Sequence, residues 1–325
     1  IKDFKLQQYV WSVAFSPDGK NILSGGSDGK MDLWNISSGK AIRTVEASGG
    51  RMDPRINAVC FSSDGKLALS GGSDNTLRLW NANNLTSLNK FVGHDSFVGI
   101  SSADFSPNGK YALSAGYDSK IILWDIVAGS ELSVFTGHTG ISGTSAKFFP
   151  NGKYAISAGD ASTRIWDVST GEEVASMIAF EDGEWIVTTA KGYYNSSPKG
   201  DQYLNVKVGG KDYTIEQLRE SFYRPDLVTV ALSGGSLKDF KKVADVKPPP
   251  IVAIIDTPQS VDKSDAVITL KISDAGGGIG EIRLYLNGSA VMLDSTRAVK
   301  IVASGQNEIL KAYNLKLSNG LNTIR

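Results

Sequence analysis

ADFSPNGKYALSAGYDSKIILWD, residues Ala103 to Asp125, decides the fold because close variants of it occur four times. The others are VAFSPDGKNILSGGSDGKMDLWN (Val13 to Asn35), VCFSSDGKLALSGGSDNTLRLWN (Val59 to Asn81) and AKFFPNGKYAISAGDASTRIWD (Ala146 to Asp167). Phe15, Phe61, Phe105 and Phe148 recur at intervals of 46, 44 and 43, and Trp34, Trp80, Trp124 and Trp166 at 46, 44 and 42. In the third copy, Ser102 to Phe105 reads as a strand and Pro107-Asn108-Gly109 as a tight turn, since Pro presets φ and Asn and Gly tolerate the left-handed region. Tyr111 to Ser114, Lys120 to Trp124 and Glu131 to Phe135 alternate as further strands, separated by Gly116 to Ser119 and by Ala128-Gly129. A period in the low forties with four short strands per copy predicts an all-β fold of β-propeller blades.

Bulk properties narrow the function. Lys+Arg and Asp+Glu are both 34, so the basic excess that nucleic acid or an anionic membrane surface would require is missing. No apolar run reaches the roughly 18 residues needed to span a bilayer. The lone Cys60 cannot form an internal disulfide and stands inside a repeat, where Val13, Ala103 and Ala146 lie near the equivalent place. It reads as a small strand residue, with no base beside it to make a catalytic thiol. A chain without disulfides is compatible with a cytoplasmic location. Its start at Ile1 leaves a secretory signal, and so a secreted or surface location, open.

These residues resemble the WD-repeat family of β-propellers. The resemblance rests on Gly93-His94 and Gly137-His138, on the Ser-Pro-Asp-Gly-type turns, and on Trp124-Asp125 and Trp166-Asp167, and it covers residues 1 to about 180. It implies that a His, a Ser, an Asp and a Trp are hydrogen-bonded within a blade. The third blade would use His94, Ser114, Asp118 and Trp124, and the fourth His138, Ser157, Asp160 and Trp166. The fourth copy has one residue fewer between its Ser and its Asp. The first two copies keep Ser24, Asp28, Trp34 and Ser70, Asp74, Trp80, with no His. Ser, His and Asp also spell a hydrolytic triad, but their recurrence beside Trp favours a structural bond network. His94 and His138 stand at equivalent positions of successive blades, which disfavours a shared zinc ion.

Four blades is at the low end of the roughly four to eight that propellers use. Ile1-Lys2-Asp3-Phe4 resembles Leu88-Asn89-Lys90-Phe91, the last strand of a blade, so the expectation is that a preceding blade has been cut through. After blade four, residues 181–247 read as a connector. Phe180 to Val187 and Lys191 to Pro198 suggest a hairpin and turns. Tyr213 to Phe222 suggests the one helix, with Thr214 and Gln217 as a capping box, Leu218 and Phe222 as its apolar face, and Pro225 ending it. Gly192-Tyr193-Tyr194-Asn195, Gly200-Asp201 and Phe222-Tyr223-Arg224-Pro225-Asp226 resemble words found after WD repeats in bacterial proteins, several of which continue into a caspase-like peptidase domain. Trp185 and the tyrosines are expected to seal the propeller's end, with a ligand groove as the alternative.

Lys247-Pro248-Pro249-Pro250 is a stiff spacer. Beyond it, Ile251 to Ile255, the alternation of Val267, Thr269 and Lys271 with Ile268, Leu270 and Ile272, the run Ile282 to Leu286 and the turn Asn287-Gly288 resemble an immunoglobulin-like β-sandwich over 248–325. The chain stops at Asn322-Thr323-Ile324-Arg325, within an expected strand, so the sandwich reads as incomplete. Gly276-Gly277-Gly278 lacks the helix and spacing of a phosphate loop, and Asp256, Asp262, Asp265 and Asp274 lack the spacing of a calcium loop. The leading expectation is therefore a noncatalytic interaction scaffold or sensor without metal or cofactor. The resemblance to WD-repeat proteins implies that it would bind a protein or peptide on the face near the first-strand entry, where Trp11, Phe97 and Tyr117 are by position the candidate contacts. The alternatives are the sensor region of a larger caspase-like peptidase and a cell-surface adhesion protein.

Overall fold

The computed structural model describes residues 9–49, 54–140, 143–208, 211–215, 218–248, 250–256, 265–275, 284–287, 289–290, 299–304, 308–318 and 324. Readings that touch Ile1 to Phe4, Gln217, Pro249, Asp262, Gly276 to Gly278, Ile282, Gly288 or Asn322 fall outside them. Two compact units divide the chain, Ile1–Asp201 with Arg224–Leu237, and Gln202–Tyr223 with Lys238–Arg325.

The first unit holds four antiparallel blades. Blade one is β1 (Val10–Phe15), β2 (Asn21–Gly26), β3 (Lys30–Asn35) and β4 (Lys40–Glu46). Blade two is β5 (Ile56–Phe61), β6 (Leu67–Gly72), β7 (Thr76–Asn81) and β8 (Ser87–Val92). Blade three is β9 (Ile100–Phe105), β10 (Tyr111–Gly116), β11 (Ile121–Asp125) and β12 (Ser130–Phe135), and blade four begins with β13 (Ser145–Phe148), β14 (Tyr154–Gly159), β15 (Ser162–Asp167) and β16 (Glu173–Ala179). The first hairpins of blades one to three are closed by local chemistry. Ser106 Oγ accepts the Tyr111 N–H at 2.9 Å and donates to Asn108 at 2.7 Å, and Ser16 and Ser62 repeat the device with Asp18 and Asp64. The turn needs a left-handed residue, and Gly109 supplies it at φ +68°.

Both faces of a blade are apolar because each blade is stacked between neighbours. Ile121, Ile122, Leu123 and Trp124 run consecutively along β11 and all are buried. Ile121 and Leu123 pack with Ala146, Ala155 and Trp166 of blade four, whereas Ile122 and Trp124 pack with Leu69, Leu77 and Phe91 of blade two. Side chains of one strand thus serve two interfaces, a consequence of period-two alternation.

Blade four is extended outward by β17 (Trp185–Thr189) and β18 (Tyr194–Ser196), giving a six-stranded sheet. In the second unit, β19 (Asn205–Val208) and β20 (Lys211–Thr214) form a hairpin, followed by the short α1 (Arg219–Phe222). The first unit resumes with α2 (Pro225–Leu232), which packs against β16, β17 and β18.

The helix expected over Tyr213 to Phe222 is thereby corrected. Thr214 ends a strand paired with Asn205, Ile215 follows it in a 3-10 turn, and among the described residues the α-helical part is Arg219–Phe222. Cross-strand pairing of Tyr213 with Val206 outweighs the local helix signal. Pro225 does not end a helix but opens α2, where its missing N–H falls among the groups a helix leaves unpaired anyway.

The second unit also contains a sheet of order β21-β22-β26-β25, formed by β21 (Ile251–Asp256), β22 (Asp265–Ser273), β25 (Val299–Ser304) and β26 (Glu308–Lys316), and a ribbon of β23 (Tyr285–Leu286) with β24 (Ser289–Ala290). On β22 the alternation is plain: Ala266, Ile268, Leu270 and Ile272 are buried, while Val267 is 55% exposed. Among the described residues the apolar face of this sheet packs with Leu284, just before the ribbon, and with Ile324.

Candidate functional site

In blade three, β10 presents Ser114, β11 presents Trp124, the β10–β11 turn presents Asp118, and the loop into β9 presents His94. Trp124 Nε1–H donates to Ser114 Oγ at 2.8 Å, Ser114 Oγ lies 2.7 Å from His94 Nε2, and His94 Nδ1 lies 3.0 Å from both oxygens of Asp118. A carboxylate only accepts, so His94 Nδ1–H donates to Asp118; in the neutral tautomer Nε2 then accepts the Ser114 hydroxyl proton. Burial works against the Asp118 charge, but the His94 bond and the N–H groups of Asp95 and Lys120 outweigh it and bring its carboxyl down to about 2.

Blade four repeats the chain with Trp166 to Ser157 at 2.7 Å, Ser157 to His138 Nε2 at 2.7 Å and His138 Nδ1 to Asp160 at 2.6 Å. Its shorter turn takes positive φ at both Asp160 (+45°) and Ala161 (+59°), the signature of a tight two-residue hairpin, and so still delivers the carboxylate to the imidazole. Burial opposes the Asp160 charge too. The bonds from His138, from Ser162 at 2.7 Å and from the Thr139 N–H at 2.9 Å hold its carboxyl well below the usual range.

The first two blades keep the Trp–Ser bond, Trp34 to Ser24 and Trp80 to Ser70, each at 2.9 Å. In blade two the place of histidine is taken by arginine, which the sequence reading missed. Arg78 Nη2–H donates to Asp74 at 2.6 Å and its Nη1–H to the Ala47 carbonyl at 2.8 Å, while the Gly49 N–H reaches Asp74 at 3.1 Å. The available signal was an Arg four residues after the turn Asp in a copy whose entry loop, Ala47-Ser48-Gly49, has no His. In blade one the Asp28 carboxylate accepts the Lys30 N–H at 3.1 Å.

This arrangement cannot act as a hydrolytic triad as it stands. Ser114 and Ser157 are 0% and 2% exposed, and each Oγ is already engaged by an indole and an imidazole. A nucleophile needs a free lone pair and a path to substrate. Cys60 is likewise enclosed, and burial pushes its thiol up to about 12, which removes thiolate character at neutral pH. Among the described residues, no three His, Cys, Asp or Glu side chains come together as a metal site, and no helix is long and apolar enough to cross a membrane.

The rim at the entry end of the blades is built from interlocked loops. Asn75 Nδ2–H donates to the Ser96 carbonyl at 2.8 Å, Ser96 Oγ–H donates to Asn75 Oδ1 at 3.1 Å, and the Tyr117 N–H donates to the Gly99 carbonyl at 3.1 Å. The three candidate contacts on this rim differ. Phe97 is 98% exposed between β8 and β9, followed by the partly exposed Val98. Trp11 is 57% exposed at the β1 bulge, with the Arg55 guanidinium 5.8 Å above its ring. Tyr117 is half-buried, its ring laid so closely on Gly143 that a side chain there would clash. It packs across a blade boundary. Past blade four, Tyr193, Tyr194, Asp201 and Phe222 are buried, while Trp185 is 39% exposed.

The family described as "WD domain, G-beta repeat" matches residues 3–35, 39–81, 85–125 and 129–167. Over 40 residues the chain is 48% identical to small ribosomal subunit protein RACK1z of Arabidopsis thaliana, and equally so to small ribosomal subunit protein RACK1 of Brassica napus. Each alignment covers 12% of this chain and 12% of the relative.

Proposed function

From the premise that this chain is a WD40 repeat protein, its residues 3–167 carrying four consecutive repeats, we propose that it works as a noncatalytic protein-interaction scaffold. Its entry rim would receive a peptide or protein segment around Phe97. The observation that carries this reading is Phe97 itself: a large aromatic side chain, 98% exposed, held on a loop that Asn75 and Ser96 tie to the β6–β7 turn. An aromatic ring on a fixed loop offers contact area with little ordering cost, the profile of a binding anchor. The buried His–Ser–Asp chains supply rigidity to that rim rather than chemistry.

A peptide library selected on the full chain tests it. Recovered peptides should lose binding at least tenfold to Phe97→Ser and keep it with Val127→Ser, which removes a 91%-exposed apolar residue at the opposite end of the blades. Peptides indifferent to Phe97, or no selected peptides at all, would sink the reading.

Two finer readings rest on resemblance alone. The connector words from Gly192 to Asp226 support a regulatory role beside a caspase-like peptidase domain. The alternation on β22 supports an immunoglobulin-like unit, and with it a surface role. Sequencing the gene's reading frame past Arg325 separates them: a caspase-like His and Cys pair favours the first, and its absence leaves the scaffold.

A further inference from the structure

The first-hairpin turns of blades three and four share one sequence. Pro107-Asn108-Gly109-Lys110-Tyr111-Ala112 and Pro150-Asn151-Gly152-Lys153-Tyr154-Ala155 are identical. Their backbones match as well. Gly109 and Gly152 sit at φ +68° and +66°, and their N–H groups donate to the Ser106 and Phe149 carbonyls at 2.8 and 2.9 Å. Both asparagines are exposed. The residue before the proline differs, Ser106 against Phe149, and with it the hold on the amide. Asn108 Oδ1 accepts the Ser106 hydroxyl proton at 2.7 Å and the Lys110 N–H at 3.0 Å. Asn151 Oδ1 accepts the Lys153 N–H at 3.0 Å, and a phenyl ring cannot supply the second donor. The Phe149 ring lies edge-on to Tyr154 instead, with centroids 6.4 Å apart.

An asparagine followed by glycine is open to attack by its own backbone, because glycine has no side chain to stand in the way. The glycine N–H gives its proton to hydroxide, and the nitrogen bonds to the asparagine side-chain carbon. The bond from that carbon to the amide nitrogen breaks, and the nitrogen leaves as ammonia with a proton from water. Water then opens the cyclic imide. Cleavage at the side-chain carbon gives aspartate, and cleavage at the main-chain carbonyl gives isoaspartate. The ring closes only after the amide leaves its bonded position, so each hydrogen bond to Oδ1 resists the reaction.

The other two blades hold the aspartate product in place. Asp18 and Asp64 occupy the same turn position, accepting the Ser16 and Ser62 hydroxyl protons at 2.7 and 2.6 Å and the Lys20 and Lys66 N–H groups at 3.0 Å. Their second oxygens lie 3.7 and 3.8 Å from the ammonium groups of the same lysines. The serine hydroxyls, and after them the lysine N–H groups, hold both carboxyls below the usual range. An ionised carboxylate offers the glycine nitrogen no leaving group, so these turns are end points of the reaction.

We propose that Asn151-Gly152 is a site of spontaneous deamidation in the folded protein, and that Asn108-Gly109 is its protected twin. Aspartate at position 151 keeps the Lys153 N–H and has the Lys153 ammonium two residues on, as Asp18 has Lys20. It leaves the turn intact and adds a negative charge to the end of blade four away from the entry rim. Isoaspartate puts an extra methylene into the main chain and lengthens the turn that the Gly152–Phe149 bond closes.

The test is to age the full chain in mildly alkaline buffer and follow both sites by peptide mass spectrometry, with enzymatic methylation of isoaspartate to separate the products. Residue 151 should convert about fivefold faster than residue 108, the factor that one hydrogen bond of typical net strength confers. In denaturant the two should convert at one rate, since their local sequences are the same. Phe149→Ser should slow residue 151 and Ser106→Ala should speed residue 108, each about fivefold, with hydrogen exchange verifying that each variant is folded. The parent-chain comparison needs no substitution and decides the matter where a variant fails to fold. Equal rates in the folded chain, faster conversion at 108, or conversion of neither while the denatured chain reacts overturns the proposal. A gap of the same size in denaturant overturns the assignment to Ser106. Asn151→Asp should leave hydrogen exchange of blade four unchanged, and faster exchange overturns the claim that the turn accepts the product.

Discussion

Replacing Ser114 with alanine removes the atom on which the blade-three network turns. The side chain is fully buried, and its Oγ accepts from Trp124 and is hydrogen-bonded to His94 Nε2. The substitution therefore strands two groups, an indole N–H and an imidazole nitrogen, in a place without access to bulk water. An unpaired buried donor or acceptor costs about 1–3 kcal/mol, so two predict a loss of about 3 kcal/mol after some relaxation. Ser24 in blade one provides the comparison. Among the described residues it bonds only to Trp34, and Ser24→Ala should cost about 1–2 kcal/mol. Repeat proteins open locally, so amide hydrogen exchange read on peptides is the suitable assay. Peptides spanning Ile100 to Phe135 should exchange about 150-fold faster in Ser114→Ala, the factor that about 3 kcal/mol implies. Trp124→Phe keeps most of the ring but deletes the N–H, so Ser114→Ala made on that background should cost about 1–2 kcal/mol less, the coupling of a hydrogen-bonded pair. The reasoning fails if Ser114→Ala and Ser24→Ala accelerate exchange equally, or if the Trp124→Phe background leaves the cost unchanged.

Two further outcomes follow from the same geometry. Trp124→Ala, which removes a 2%-exposed indole tilted against Phe91, should cost about 3–5 kcal/mol; a thermal midpoint equal to that of the parent would contradict its placement between blades. The Asp118 carboxyl lies lower in the folded chain than in the unfolded one, so its contribution is complete above about pH 4 and is lost as pH falls towards 2. That contribution is about 2 kcal/mol, so Asp118→Asn should destabilise blade three by this amount at pH 6 and by little at pH 2. An equal penalty at both values in hydrogen exchange would refute the assignment.

The blades were legible because every level of the sequence agrees about them. The turn Gly at 109, the alternation from Ile121 to Trp124 and the period of Phe and Trp all demand the same strands. The helix over 213–222 was misread because its cues were local. Thr214 offers a cap in isolation, but its partner across a hairpin, Asn205, lies nine residues upstream, and short-range pattern carries no sign of it. The hairpin read over Phe180 to Pro198 is present as β17 and β18, but its addition to the edge of β16 was not legible, since that pairing belongs to no repeat. Arg78 was missed because it fills the role of histidine from a different strand. The sequence shows a copy without His, and only the fold shows that a guanidinium from β7 and an imidazole from an entry loop can reach the same carboxylate.

The contrast between blades two and three also separates what the network needs from what it happens to use. Ser70 bonds to Trp80 as Ser114 does to Trp124, yet Asp74 is held by Arg78 where Asp118 is held by His94. The invariant part is therefore the Trp–Ser bond between two middle strands of a blade, and the Asp is a turn carboxylate held by different donors in different blades, an imidazole from the entry loop or a guanidinium from β7. A Ser–His–Asp set that tolerates arginine in place of histidine is not organised to move a proton, since guanidinium cannot serve as a base at any accessible pH. The interchange argues for structure more strongly than burial does: burial shows that substrate is kept out of one blade, whereas the arginine shows that acid–base chemistry was never the requirement.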